Sequence, residues 1–210
     1  MTVEINLYGT LESVYVRIVR LVLLTKGAKF SMVEADPFEG GKLPAHYDQL
    51  HPFGKIPAME IDGFGLYETD AIVHYIDAVF DEPALIPSSV KDAARMRQLM
   101  RIVDAYAYRP LVWGLYVPIY WRDGLAPTDE AITQSRQVLG VIEGILDKSP
   151  ACGFTTLTLA TFYMMSTLAA ADTVEPGAAL IDERPRLREW WDSMRVSASM
   201  VETRPDCMKF

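Results

Sequence analysis

Cysteine is scarce in this 210-residue chain, with Cys152 and Cys207 the only two. Two are too few for a disulfide scaffold or a thiolate zinc site. The three histidines, His46, His51 and His74, show no metal-ligand spacing, so no metal is expected. Basic residues are the minority, 20 against 28 acidic ones, for a net charge of −8. That balance argues against nucleic acid or an anionic membrane surface as the main partner, because both reward clustered Lys and Arg. No apolar run reaches the ~18 residues of a membrane span. The opening nine residues lack the basic-then-apolar pattern of a secretory signal. What is present is ordinary for a globular chain with a sizeable core: half the residues are hydrophobic and 23% are charged. A soluble, cytoplasmic protein of one or two domains is expected.

The first eighty residues change period several times. Val3 to Gly9 alternates, with Val3, Ile5 and Leu7 on one side, and predicts a strand. From Ser13 to Lys26 the apolar residues Val14, Ile18, Leu21 and Val22 recur at helical spacing, and Gly27 stands where a helix-terminating glycine would. Lys29 to Ala35 predicts a second strand, 36–41 a loop, and Lys42 to Leu50 a helix. Ala58–Ile61 and Gly65–Tyr67 predict short strands joined by the turn signal Asp62-Gly63. Thr69 to Phe80 predicts a helix from Ile72, Tyr75, Ile76 and Val79. The order βαβ-α-ββα implies a right-handed crossover followed by a hairpin, hence a four-stranded mixed sheet with helices on its faces.

Residues 81–89 carry two prolines, two acids and two serines and predict a linker. The strand signal then fades. A long helical stretch runs from Val90 to Trp121, with kinks or breaks expected at Pro110 and Pro118. Thr128-Asp129-Glu130 opens a helix to about Lys148 with a cap and an acidic first turn. Leu159 to Ala171 predicts a buried helix and Arg186 to Arg195 another. The expected division is a first domain 1–80, the linker 81–89, and an all-α domain 90–210.

Several motifs occur in order along this layout: Leu7-Tyr8-Gly9, Ser13-Val14-Tyr15-Val16-Arg17, His51-Pro52-Phe53-Gly54-Lys55-Ile56-Pro57, Glu68-Thr69-Asp70-Ala71-Ile72, Leu85-Ile86-Pro87 and Arg184-Pro185-Arg186-Leu187. Together they resemble the cytosolic glutathione S-transferases, and specifically theta-like, serine-type bacterial members. The resemblance covers the whole chain. It implies a thioredoxin-like N-terminal domain that binds glutathione, an all-α C-terminal domain that supplies a pocket for a hydrophobic electrophile, and a homodimer. It implies glutathione as the co-substrate.

The resemblance assigns roles that the chemistry of the residues permits. The bond before Pro57 is expected to be cis, leaving the Ile56 backbone to pair with the cysteinyl part of glutathione like an added strand. Glu68 is expected to take the γ-glutamyl ammonium. Thr69, as a helix cap, and the helix N-terminus are expected to take the adjacent carboxylate. Lys55 and Lys42 are candidates for the glycine carboxylate, although a surface lysine is also simply solvated. Ser13 is the candidate for stabilising the thiolate, at the start of the first helix; a plain N-cap serine would look the same. Tyr8 and Thr10 are rival hydroxyls, and no cysteine precedes Cys152. Tyr106, Trp113 and Tyr116 are candidates for the electrophile pocket, where aromatic residues crowd one helical region.

Two features depart from the family pattern. Val14 stands where many members have proline. At the start of the buried helix, Thr158-Leu159-Ala160-Thr161 carries threonine where a capping acid is usual, which puts the stability of that helix in question. The reading is a glutathione transferase acting on an apolar electrophile. The alternatives are a non-catalytic glutathione- or protein-binding member, or a glutathione-dependent isomerase or dehalogenase.

Overall fold

A computed structural model describes residues 3–38, 40–206 and 208. Cys207 lies outside the described residues. Contacts divide the chain into two units, Met1–Ala84 with Thr203–Pro205, and Leu85–Glu202 with Asp206–Phe210.

The first unit is built on a four-stranded sheet of order β2-β1-β3-β4. Strand β1, Ile5–Gly9, buries Ile5, Leu7 and Gly9 and leaves Asn6 and Tyr8 half-buried, as alternation requires. Val3 is exposed and lies before the strand, so the pairing starts two residues later than the alternation predicts. Helix α1, Val14–Thr25, connects β1 to a parallel β2, Ser31–Glu34. Gly27, two residues past α1, takes φ +64°, a region open to glycine at little cost.

Helix α2 is a single turn, Tyr47–Leu50, where the sequence predicts one from Lys42. Pro44 and the left-handed His46 (φ 62°) interrupt the earlier part. Strands β3, Ala58–Ile61, and β4, Phe64–Tyr67, form a hairpin turned by Asp62 and Gly63, both at positive φ. That is the geometry the right-handed strand twist favours in a two-residue turn. Helix α3, Thr69–Val79, buries Ile72, Val73 and Ile76. At the far ends of α1 and α3, the buried Lys26 ammonium meets Asp77 at 2.7 Å and the carbonyl of Phe80 at 2.7 Å. The two charges are paired where neither could stand buried alone.

In the second unit the stretch predicted as one long helix is α4, Val90–Ile102, followed by two π-helical segments, Val103–Ala107 and Arg109–Tyr116, and α5, Val117–Trp121. The chain does not break at Pro110. In an α-turn its ring would clash with the carbonyl four residues back and its missing N–H would orphan that carbonyl; a wider turn relieves both. Helix α6, Asp129–Lys148, is capped by Thr128, whose Oγ1 accepts from the Ala131 amide at 3.2 Å. The buried helix α7, Leu159–Asp172, forms the centre of this unit. The sequence reading missed α8, Glu175–Asp182, and α10, Ala198–Glu202; α9 is Pro185–Arg195.

The start of α7 is capped without an acid. Thr161 Oγ1 accepts from the Thr158 amide at 2.9 Å, the bond a capping acid would make. The same hydroxyl donates to the Gly153 carbonyl at 2.9 Å, which an ionised carboxylate could not do. Thr158 Oγ1 in turn donates to the Cys152 carbonyl at 2.8 Å. The two threonines therefore tie the segment around Cys152 to the helix they cap.

Candidate active site

Strand register decides where the predicted residues gather. Tyr8 of β1 pairs with Ala58, the first residue of β3, and Ala58 pairs with Tyr67, the last residue of β4. Gly9 pairs with Glu34, the last residue of β2. The chain therefore leaves β1 and β2, enters β3 and leaves β4 at one end of the sheet. Ser13, the loop holding Lys42, the Lys55-Ile56-Pro57 run, and Glu68-Thr69 all lie in connections at that end. Two helix N-termini, those of α1 and α3, open there, and these two helices pack on one another. Such termini favour anions through their free N–H groups and dipoles.

Ser13 is the N-cap of α1 and is half-buried. Its Oγ accepts from the Val16 amide at 3.3 Å. A hydroxyl has two acceptor sites and one proton, so this bond leaves the proton available to donate. Thr10 holds the turn before it, its carbonyl accepting from the Ser13 amide at 3.4 Å. Tyr8 lies on the sheet face that α2 covers. Its ring packs against Tyr47, with centroids 5.9 Å apart, and burial together with the charge of Glu60 raises its pKa.

The peptide between Ile56 and Pro57 is cis, as the resemblance implies. Among the described residues neither the amide nor the carbonyl of Ile56 makes a backbone hydrogen bond. Pro57 is buried and Lys55 exposed. The loop is held from below by residues that the sequence reading did not single out. The Tyr47 hydroxyl donates to the Lys55 carbonyl at 2.8 Å, and burial, then the neighbouring Tyr8, raise the pKa of that phenol. His51 is buried, with its ring 4.8 Å from that of Tyr67 and 6.3 Å from that of Tyr47. Burial lowers its pKa; Glu68 opposes that shift and Lys55 adds to it. The histidine thus lies within electrostatic reach of a residue from each side of the predicted peptide clamp. The signal for it was its place in the motif; nothing in the spacing marked it as buried.

Thr69 is not the cap of α3. It is the first helical residue and is buried, while exposed Glu68 holds the N-cap position at φ 70° without a side-chain capping bond. The helix N-terminus is therefore uncapped by its own side chain, with the Glu68 carboxylate beside it. Asp70 is exposed and its carbonyl accepts from or faces His74 Nδ1 at 2.8 Å. Lys42 is exposed in the loop, its carbonyl accepting from the Asp36 amide at 3.0 Å.

The aromatic candidates of the second unit separate. Tyr106 is exposed and lines a cavity of about 570 Å³ with Arg109, Pro110, Gln134 and Val138. Trp113 is exposed outside that lining, and Tyr116 is buried, stacked on Tyr120 at 5.5 Å. The seven-residue spacing of Tyr106 and Trp113 does not keep them together, because the π-helical turns change the residues per turn. Among the described residues no group of three or more His, Cys, Asp or Glu could hold a metal ion, and no helix is long and apolar enough to cross a membrane.

Residues 7–84 match the family model described as the N-terminal domain of glutathione S-transferase. Glutathione S-transferase F13 of Arabidopsis thaliana is 27% identical over 216 residues, covering 95% of this chain and 94% of the relative. A glutathione S-transferase of Pseudomonas putida is 33% identical over 106 residues, 50% of this chain and 46% of the relative. Among solved structures, glutathione S-transferase III in its apo form has a TM-score of 0.80 at 28% identity and covers 95% of each chain. Glutathione S-transferase I bound with lactoylglutathione has a TM-score of 0.80 at 21% identity, covering 95% of this chain and 97% of that one. The long relatives are plant proteins of the phi class, so the expected likeness to theta-like bacterial members is not supported.

Proposed function

We propose that the chain is a glutathione S-transferase, joining the glutathione sulfur to an apolar electrophile with Ser13 as the residue that stabilises the thiolate. The observation that carries this reading is the convergence of Ser13, Ile56-Pro57 and Glu68-Thr69 at one end of the sheet, beside two helix N-termini.

A free thiol ionises near pKa ~8.5, so only a small fraction is nucleophilic at neutral pH. The Ser13 hydroxyl has its acceptor side occupied by the α1 amide and its proton free for the sulfur. A charge-assisted hydrogen bond of about 1.5–3 kcal/mol lowers the thiol pKa by about one to two units. The N-terminus of α1 adds its dipole in the same direction. At the other terminus, Glu68 takes the γ-glutamyl ammonium while the free N–H groups of α3 and the Thr69 hydroxyl take the carboxylate. The Ile56 amide and carbonyl take the cysteinyl segment, and Lys55 and Lys42 the glycine carboxylate. The protein thus holds and ionises the nucleophile. The sulfur–carbon bond forms either as a leaving group departs with its electron pair, or as the π pair of a conjugated acceptor shifts away from the attacked carbon and then takes a proton from solvent. The exposed ring of Tyr106, in the cavity it lines with Pro110 and Val138, offers apolar surface for the electrophile, while Tyr116 is buried and stacked on Tyr120. The homodimer of the family belongs to this reading and is tested by sedimentation of the purified chain.

Ser13→Ala is the decisive variant. Thiolate absorbance of the glutathione complex should midpoint at a pH about one to two units higher, and kcat/KM at neutral pH should fall about 10- to 100-fold. Glutathione affinity should change little, since the clamp is elsewhere. An unchanged thiolate midpoint would remove Ser13 from the chemistry.

A further inference from the structure

Beside α2, apart from Ser13 and the clamp residues, the first unit holds a cleft of about 370 Å³. Glu60, Tyr8, Tyr47, His46 and Gln49 line it. None of these residues belongs to the glutathione clamp. Glu60 is half-buried, and among the described residues its carboxylate makes no hydrogen bond and no ion pair. No lysine or arginine lines the cleft. The strand partner of Glu60 on β4 is Gly65, so no side chain covers the carboxylate from that side. A Cβ on Gly65 would stand 2.7 Å from Leu50 Cδ1, so a larger residue there would displace the tip of that leucine. On the other side the β1 partner, Asn6, turns its amide to Glu4 at 3.5 Å. The charge of Glu60 is felt by Tyr8, whose hydroxyl keeps its proton and so remains a donor or acceptor for a guest.

An unpaired carboxylate beside tyrosine rings, in a cleft lined by no lysine or arginine, suits a cationic guest. We propose that this cleft binds an organic ammonium ion carrying an apolar body, with the cation on Glu60 and the body along Tyr8 and Tyr47. Aromatic faces attract cations, and a partly desolvated carboxylate accepts a charge-assisted hydrogen bond from an ammonium. An anion is repelled by Glu60. A metal ion would find a single carboxylate where hard cations take six or more oxygens. The cleft faces α2 and uses none of the residues assigned to glutathione, so the two sites are separable.

The test uses the full chain and phenethylammonium as the probe, with phenethyl alcohol as its neutral counterpart, followed by calorimetric titration. Saturable binding of the ammonium is expected, with no saturable binding of the alcohol. Glu60→Gln should weaken the ammonium by about tenfold or more, the scale of one charge-assisted hydrogen bond. Glutathione transfer by that variant should stay within about twofold, surface substitutions away from a site having small effects. A second variant, Gln49→Ala at the rim, should fold and bind the ammonium within about threefold, since it leaves the charge in place. Failure of the parent chain to saturate, equal binding of the alcohol, or undiminished binding by Glu60→Gln would each overturn the proposal.

Discussion

At the level of single residues, two side chains show how environment sets chemistry. Ser13 is half-buried at a helix start, where its oxygen is bound by an amide and its proton is free. His51 is the opposite case. It is buried against Tyr67 and Tyr47, and its Nδ1 finds no hydrogen-bond partner among the described residues. Burial therefore favours its neutral form, and the Lys55 charge favours it further against the pull of Glu68. The unfolded chain takes up the proton near the ordinary value of ~6.5, while the folded chain takes it up only at lower pH. Stability from this residue is thus full above ~6.5 and is lost as pH falls through the folded value. Urea midpoints measured at about pH 7.5 and about pH 5 should fall with pH, and His51→Gln should flatten that slope. A slope unchanged in the variant would assign the acid sensitivity to other groups. The place of Ser13 at a helix start could be read from the sequence, because the period changes there. The burial of His51 could not, since it depends on a tyrosine sixteen residues away on β4.

At the level of elements, the start of α7 shows a local rule satisfied by different atoms. A capping acid supplies an acceptor; Thr161 supplies an acceptor to Thr158 and a donor to Gly153. Thr161→Val keeps the volume and removes both bonds in a buried setting. It should cost about 1–3 kcal/mol per unsatisfied group, seen as a lower urea midpoint. Thr161→Ser should retain most of the stability. Equal loss in both variants would mean that packing of the methyl group, and not the hydroxyl, holds the segment. The region around Pro110 carries the same lesson in reverse. Proline chemistry predicted a kink or a break, and the π-helical segments Val103–Ala107 and Arg109–Tyr116 carry the helix through without a break. Local sequence reported the clash with an α-turn. It did not report that close packing, such as Gly114 against Ala131, makes a widened turn worth keeping.

At the level of the whole molecule, the chain returns to its beginning. Thr203–Pro205 packs with the first unit although it lies near the other end of the sequence. Arg17, fully buried in α1, donates from Nε to Thr203 Oγ1 at 3.2 Å, and Arg20 donates to the Thr203 carbonyl at 3.1 Å. A chain ending at Glu202 loses both bonds. Amides of α1 should then exchange with solvent faster, by a factor matching about 1–3 kcal/mol, while those of α7 keep their protection. Unchanged α1 protection would show that the other contacts of Arg17 suffice. Sequence alone determined the sheet with its helices and the helical second part, because hydrophobic period and turn chemistry are properties of neighbouring residues. It also determined that Ser13 begins a helix and that Asp62-Gly63 turns a hairpin. Only the tertiary structure decided that Glu68 and not Thr69 stands at the N-cap of α3, that Tyr47 and His51 lie beneath the loop of Pro57, and that Glu60 faces an open cleft. Those outcomes depend on strand register and on side chains brought together from distant positions, and neither is encoded in the spacing of residues along one stretch of chain.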